Sequence, residues 1–210
     1  LPVEEGREPL LCDFSVADQQ AAAEAQGAPP PGGANATPPR LPETLTIVVA
    51  CVLLNEHDEV LMVQEAKSAC AGKWYLPAGR ANPHETLSAA ALRELEEETG
   101  LQARLTTLLV VESAAGRWFR YVFTAEATGG ELKTPARADA ESLQAKWVAE
   151  PEQLPLRATD LLPLVEQARA RKSASRRHPD LMPAPRPHTL NLLRLVAVIK
   201  RRSTNRVHVL

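Results

Sequence analysis

The sequence predicts an α+β fold in which helices flank a mixed β-sheet. Three observations carry this. Segments of strand character outnumber helical ones. Helical periodicity occurs only twice, between or after strand pairs. The first strong apolar run, "TLTIVVACVLLN", is β-branched and lacks polar alternation, as a central strand buried on both faces would.

In chain order, residues 1–40 come first, and 15–40, "SVADQQAAAEAQGAPPPGGANATPPR", are rich in Ala, Pro, Gly and Gln. Such a stretch buries too little surface to offset its ordering entropy, so it reads as a disordered leader. Residues 41–172 form the domain. "NEHDE" is a polar turn and "VLMVQEA" a second strand, so 44–66 reads as a hairpin. "WYLPAGR" reads as a turn. A helix is expected over 86–98, started by Thr86 or Glu85, with Leu87, Ala91, Leu92 and Leu95 as its apolar stripe. "LTTLLVVES" and "RWFRYVFTAEA" make a strand pair, "GGEL" turns, and "AKWVAE" is a further strand. A second helix is expected over 159–172, capped by Thr159. Residues 173–210 are a basic, proline-broken tail or the cut-short start of another region, with "TLNLLRLVAVIK" a helix or a strand.

Bulk properties exclude several function classes. Net charge is -2, so whole-chain electrostatics select no polyanion. The tail is basic, but without interleaved aromatics it makes no firm nucleic-acid site. Cys12, Cys51 and Cys70 are far apart and show no CxxC spacing, against a disulfide framework or structural zinc. No apolar run is long enough to span a bilayer. The opening "LPVEEGREPL" is not a secretory signal, and a chain starting at Leu1 without Met is expected to be a piece of a longer one. A cytoplasmic, monomeric protein is the expectation.

The chemistry concentrates in "GRANPHETLSAAALRELEEETGL". Glu94, Glu97 and Glu98 stand at i, i+3 and i+4 and crowd one helix face. Carboxylates held together repel unless a cation neutralises them, and Mg²⁺ or Mn²⁺ does this with oxygen ligands. A solvated acidic face is the plain alternative. Arg93 adjoins the carboxylates and is placed to hold Glu94 or Glu85. Gly100 ends the helix at the C′ position.

The spacing Gly79, five residues, Glu85, seven residues, Arg93-Glu94-Leu95, one residue, Glu97-Glu98, one residue, Gly100-Leu101 resembles the Nudix box at every fixed position. The resemblance to Nudix hydrolases covers roughly residues 41–170. It implies their α/β/α sandwich with the box as loop–helix–loop, and metal-assisted attack of water on a nucleoside diphosphate derivative. By that resemblance Glu97 and Glu98 are metal ligands, with the carbonyl of Ala78 just before Gly79. Glu94 is a further ligand or the general base, Arg93 orients Glu94, and Glu85 is the structural partner of Arg93. One more carboxylate often comes from a late loop. Here the candidates are Asp139 and Glu141, Glu141 being preferred, with a solvated loop acid as the alternative.

Substrate choice is expected from the rest of the domain. The proline of the family's ADP-ribose hydrolases is replaced by Ala115-Gly116, and the tyrosine of its dinucleoside polyphosphate hydrolases by Arg117-Trp118. Longer stretches, "DEVLMVQEAKSACAGKWYLPAGR" and "LPLRATDLLPLVE" among them, resemble family members that hydrolyse oxidised purine diphosphates such as 8-oxo-dGDP and 8-oxo-GDP. This implies a small-molecule nucleotide substrate, with Leu61, Trp118 and Phe119 as candidate base contacts. Plain core packing is the alternative for the two aromatics. Trp74 and Tyr75 either cover the phosphates or pack under the loop. Another nucleotide, such as ADP-ribose or a cap, and an idle binding module are the competing readings.

Overall fold

The computed structural model describes residues 45–114, 118–174 and 180–183, with two short strands beyond. The expected leader, the 115–117 turn and most of the tail lie outside the described residues. The chain divides into two compact units, one spanning residues 40–185 and one made of 1–39 with 186–210. Of the second unit only a ladder is described, β8 (Val198–Lys200) antiparallel to β9 (Val207–Val209).

In the larger unit β1 (Thr46–Leu53) is the central strand that its apolar run predicts. It lies parallel to β6 (Trp118–Gly130) and antiparallel to β4 (Ala78–Arg80). β5 (Leu101–Ala114) pairs antiparallel with β6, giving the order β4-β1-β6-β5. A second sheet is ordered β3 (Trp74–Tyr75), β2 (Val60–Glu65), β7 (Ser142–Val148) and is antiparallel throughout. Helix α1 (Leu87–Thr99) covers one face and α2 (Leu161–Ser173) the other. Val49, Cys51, Leu61, Val63 and Phe123 pack with Ala90, Ala91 and Leu95 of α1. Ala50, Val52, Val60, Met62 and Val122 pack with Leu161, Leu164, Val165 and Ala168 of α2. Each Val, Leu, Met or Phe among them contributes roughly 1.5–3 kcal/mol by leaving water. The helix–sheet–helix sandwich thus rests on an aliphatic core split by its sheets.

Several local expectations change. The hairpin over 44–66 does not form a ladder; only the bridge Leu54–Val60 joins its arms. Both edges of β1 are taken by β4 and β6, so β2 crosses to the other sheet. The polar turn survives as the corner, where Asn55 Oδ1 accepts from the amides of His57 and Glu59 and Asp58 sits at φ 60°. The expected turn at Ala78–Gly79 is instead part of β4, with Ala78 opposite Ala50 and Gly79 opposite Val49. In α1, Thr86 is the cap as expected, accepting from the Ala89 amide. Leu87 and Leu92 are only partly buried, whereas Ala90 is fully inside. Thr159 does not cap α2. The cap position falls on Asp160, whose carboxylate accepts from Tyr75 Oη and Arg120 Nη1 instead.

Candidate active site

The antiparallel pairing of β4 with β1 lays residues 78–80 against α1. Glu98 Oε2 accepts a 2.9 Å hydrogen bond from the Ala78 amide, and Glu98 is 3% exposed. One turn earlier the Glu94 carboxylate rests on Gly79. A Cβ at that glycine would lie 1.9 Å from Glu94 Cδ. Only a residue without a side chain lets the carboxylate meet the main chain there.

Arg93 ties the acids together. Its Nε and Nη2 donate to Glu85 Oε1 and Oε2 at 2.8 and 2.9 Å, a bidentate pair. Its Nη1 donates to Glu94 Oε1 at 2.7 Å and Glu97 Oε2 at 3.1 Å, and Nη2 also reaches the Arg80 carbonyl. The Arg93 hydrogen bonds hold the Glu85 carboxyl below its usual range, and Glu85 also accepts from the Asn82 amide. Arg93 thus makes a bidentate pair with Glu85 and a single hydrogen bond to Glu94.

The three helix carboxylates do not share one exposed face. The Glu97 side chain is 52% exposed and that of Glu94 13%, while Glu98 enters the core side beside Leu95. Burial pushes the Glu98 carboxyl up to about 8; the Ala78 amide opposes this, and the charges of Glu65 and Glu94 add to it. No three His, Cys, Asp or Glu side chains among the described residues converge as a ready cage, because Arg93 draws Glu94 and Glu97 to itself. The donor set still fits a hard divalent ion. Every candidate ligand is an oxygen, and the buried, mutually repelling Glu98 and Glu94 are the groups a cation would relieve.

A support was not legible in the sequence. The helix has no basic residue in its last turn, and its C-terminal carbonyls are met from a distant loop. Lys133 Nζ donates to the Glu97 carbonyl at 2.7 Å, to Asp139 Oδ2 at 2.7 Å and to Ser142 Oγ at 2.8 Å. Ser142 Oγ donates to the Glu98 carbonyl at 2.9 Å. Lys133 and then the Ser142 amide hold the Asp139 carboxyl down at about 2. Asp139 therefore belongs to the helix support, and Glu141 makes an ion pair with Lys67 at 2.7 Å. Glu65, also missed, is a buried carboxylate at the end of β2, paired with Arg157 Nη1 at 2.7 Å. Its one available signal is an acid that ends a strand opening on four apolar residues. Gly100, at φ 75°, ends α1 as expected.

The base candidates separate. Leu61 is fully buried, and Phe119 packs on the same α1-side cluster. Trp118, one residue before Phe119, points to the opposite face, where the Arg120 guanidinium lies 5.5 Å from its ring centre. The two aromatics therefore cannot stack on one base. Trp74 and Tyr75 are buried in the α2-side cluster, so they pack under the loop rather than cover phosphates.

Two carboxylates seated on a strand backbone, one of them held by an arginine that also gathers Glu85 and Glu97, inside a helix–sheet–helix sandwich, define an α/β/α domain with an acidic loop–helix–loop. A model of the NUDIX domain matches residues 44–168. The chain belongs to the Nudix family, whose hydrolases use divalent metals. It is 48% identical over 175 residues to the Homo sapiens protein named 8-oxo-dGDP phosphatase NUDT18, covering 83% of this chain and 54% of that protein. Against the Danio rerio protein of the same name it is 49% identical over 129 residues, covering 61% of this chain and 40% of that one. The chain thus spans about half the length of the curated relatives it matches. A NUDIX hydrolase structure from Nitrosomonas europaea superposes with a TM-score of 0.51 at 26% identity, over 60% of this chain and 89% of that one. No helix among the described residues is long and apolar enough to cross a membrane.

Proposed function

We propose that the domain is a Mg²⁺- or Mn²⁺-dependent hydrolase of oxidised purine nucleoside diphosphates, releasing the monophosphate and phosphate from 8-oxo-dGDP and 8-oxo-GDP. The observation that carries the chemistry is the seating of Glu94 and Glu98 on the Ala78–Gly79 backbone. The substrate reading is supported by the 48% identity to a protein named for 8-oxo-dGDP cleavage.

Glu97, Glu98 and the Ala78–Gly79 backbone would hold the ion, with Glu94 either completing the set or serving as base. When bound, the ion supplies charge neutralisation for the diphosphate and eases deprotonation of water. Water adds to phosphorus, the bridging P–O bond breaks with its electron pair on the leaving phosphate, and the proton from water passes to the Glu94 carboxylate. Arg93 fixes where that carboxylate points. Of its four partners Glu97 is the most easily released, since an exposed ion pair is worth about 0–1 kcal/mol. Glu141 would join the ion only by leaving Lys67. For the base, Phe119 supplies apolar surface on one face, with Leu61 buried in the same cluster, and Trp118 is not part of that wall. The free Cys51 and Cys70 support a reducing, cytoplasmic setting.

A panel of 8-oxo-dGDP, dGDP and ADP-ribose with Mg²⁺ tests this. Faster cleavage of 8-oxo-dGDP, to 8-oxo-dGMP and phosphate, is expected. Cleavage of ADP-ribose in preference, or of nothing, would overturn the substrate reading.

A further inference from the structure

Lys67 lies near the start of the loop from β2 to β3. Backbone bonds pin that loop: the Gly72 amide donates to the Glu65 carbonyl, the Glu65 amide to the Lys73 carbonyl, and the Cys70 amide to the Lys67 carbonyl. On the far side, Glu65 stands opposite Ser142 in the β2–β7 ladder, and Ser142 Oγ donates to the Glu98 carbonyl. Glu65, Ser142 and the last turn of α1 are therefore successive neighbours. Lys67 and Glu141, close in sequence to Glu65 and Ser142, stand at the rim of that place.

Three of the neighbouring cations are committed. Arg93 serves three carboxylates and a carbonyl. Arg157 holds Glu65 and stacks on Tyr75. Lys133 is buried among three acceptors. Lys67 differs from these: its side chain is 49% exposed and its ammonium meets Glu141 alone among the described residues. Glu141 first, then Glu98 and Glu65, hold that ammonium above its usual range, so it stays charged. A single exposed ion pair is weak and readily exchanged, whereas an ammonium on a phosphate oxygen beside a desolvated site makes a strong, charge-assisted bond.

We propose that Lys67 is a substrate-phosphate ligand that rests on Glu141 in the free protein and moves to a phosphate oxygen when a nucleoside diphosphate binds. This rests on the proposed function insofar as the diphosphate is taken at the Glu94–Glu98 cluster.

The test is calorimetric titration of an α,β-methylene guanosine diphosphate, which is not hydrolysed, into the parent, Lys67→Met and Lys67→Arg proteins with Mg²⁺ present. Lys67→Met is expected to weaken binding about tenfold or more, as loss of one charge-assisted hydrogen bond does. Lys67→Arg should restore most of it. Mn²⁺ alone should bind Lys67→Met at least as well as the parent, because removing a cation beside Glu98 cannot weaken a cation site. Equal analogue affinity in parent and Lys67→Met, no rescue by Arg, or a parallel loss of Mn²⁺ binding would each overturn the proposal. A parent that cleaves no diphosphate, while Lys67→Met still loses the analogue, would sink the proposed reaction and leave Lys67 as a ligand.

Discussion

The carboxylate of Glu94 occupies the space a side chain on residue 79 would need: a Cβ at Gly79 would sit 1.9 Å from Glu94 Cδ and 2.0 Å from Oε2. The glycine is therefore required by contact rather than by backbone freedom. In Gly79→Ala the carboxylate must leave its seat, while β4 keeps its pairing to β1. We expect kcat to fall by about a hundredfold, the scale on which misplaced catalytic groups act, with little change in Tm. Near-parental turnover would show that Glu94 works from another position.

Arg93 spans Glu85, Glu94 and Glu97 through a planar fork, and a lysine carries the charge without the fork. Arg93→Lys should lose most of kcat while Mn²⁺ binding falls by less. The measurement is a paired kinetic and Mn²⁺ titration; equal loss in both would place Arg93 in ion binding rather than in orientation.

Burial raises the Glu98 carboxyl to about 8. Because this folded value lies above the unfolded one, the group's contribution is fully present below pH 4.5 and is lost as pH rises through 8. In EDTA, the parent should lose stability relative to Glu98→Gln across that window, by up to a few kcal/mol at about 1.4 kcal/mol per unit. Mg²⁺ should reverse the loss and release a proton at neutral pH, seen as a binding enthalpy that varies with buffer ionisation. Parallel stability curves in EDTA would remove the case for a buried, protonated Glu98.

Lys133 is the cation that α1 lacks in its own last turn. Lys133→Met leaves the Glu97 carbonyl, Asp139 and Ser142 Oγ without their shared donor, which should cost about 2–4 kcal/mol. Chemical denaturation measures this, and Mn²⁺ affinity should fall too, since the turn that carries Glu97 and Glu98 loosens. A stable variant with weakened Mn²⁺ binding would sharpen the assignment; a stable variant with normal binding would refute it.

What the sequence by itself determined is local. Helical periodicity brings residues 94, 97 and 98 to neighbouring positions in any fold. Thr86 and Gly100 bound the helix because caps depend on adjacent residues. The two-sided apolar run of β1 announced a central strand. Tertiary structure alone decided which of three adjacent glutamates is buried, since that depends on β4 lying across α1. It also decided which of Trp118 and Phe119 faces the α1-side cluster, because strand alternation separates adjacent residues but does not say which layer packs on which side. It sent β1 and β2 to different sheets, because the edges of β1 were taken by partners that no local pattern specifies. Lys133 and Ser142 meet the end of α1, and Glu65 meets Ser142, through pairings across long stretches of chain. Such contacts arise from the joint packing of all strands, and no short segment encodes them.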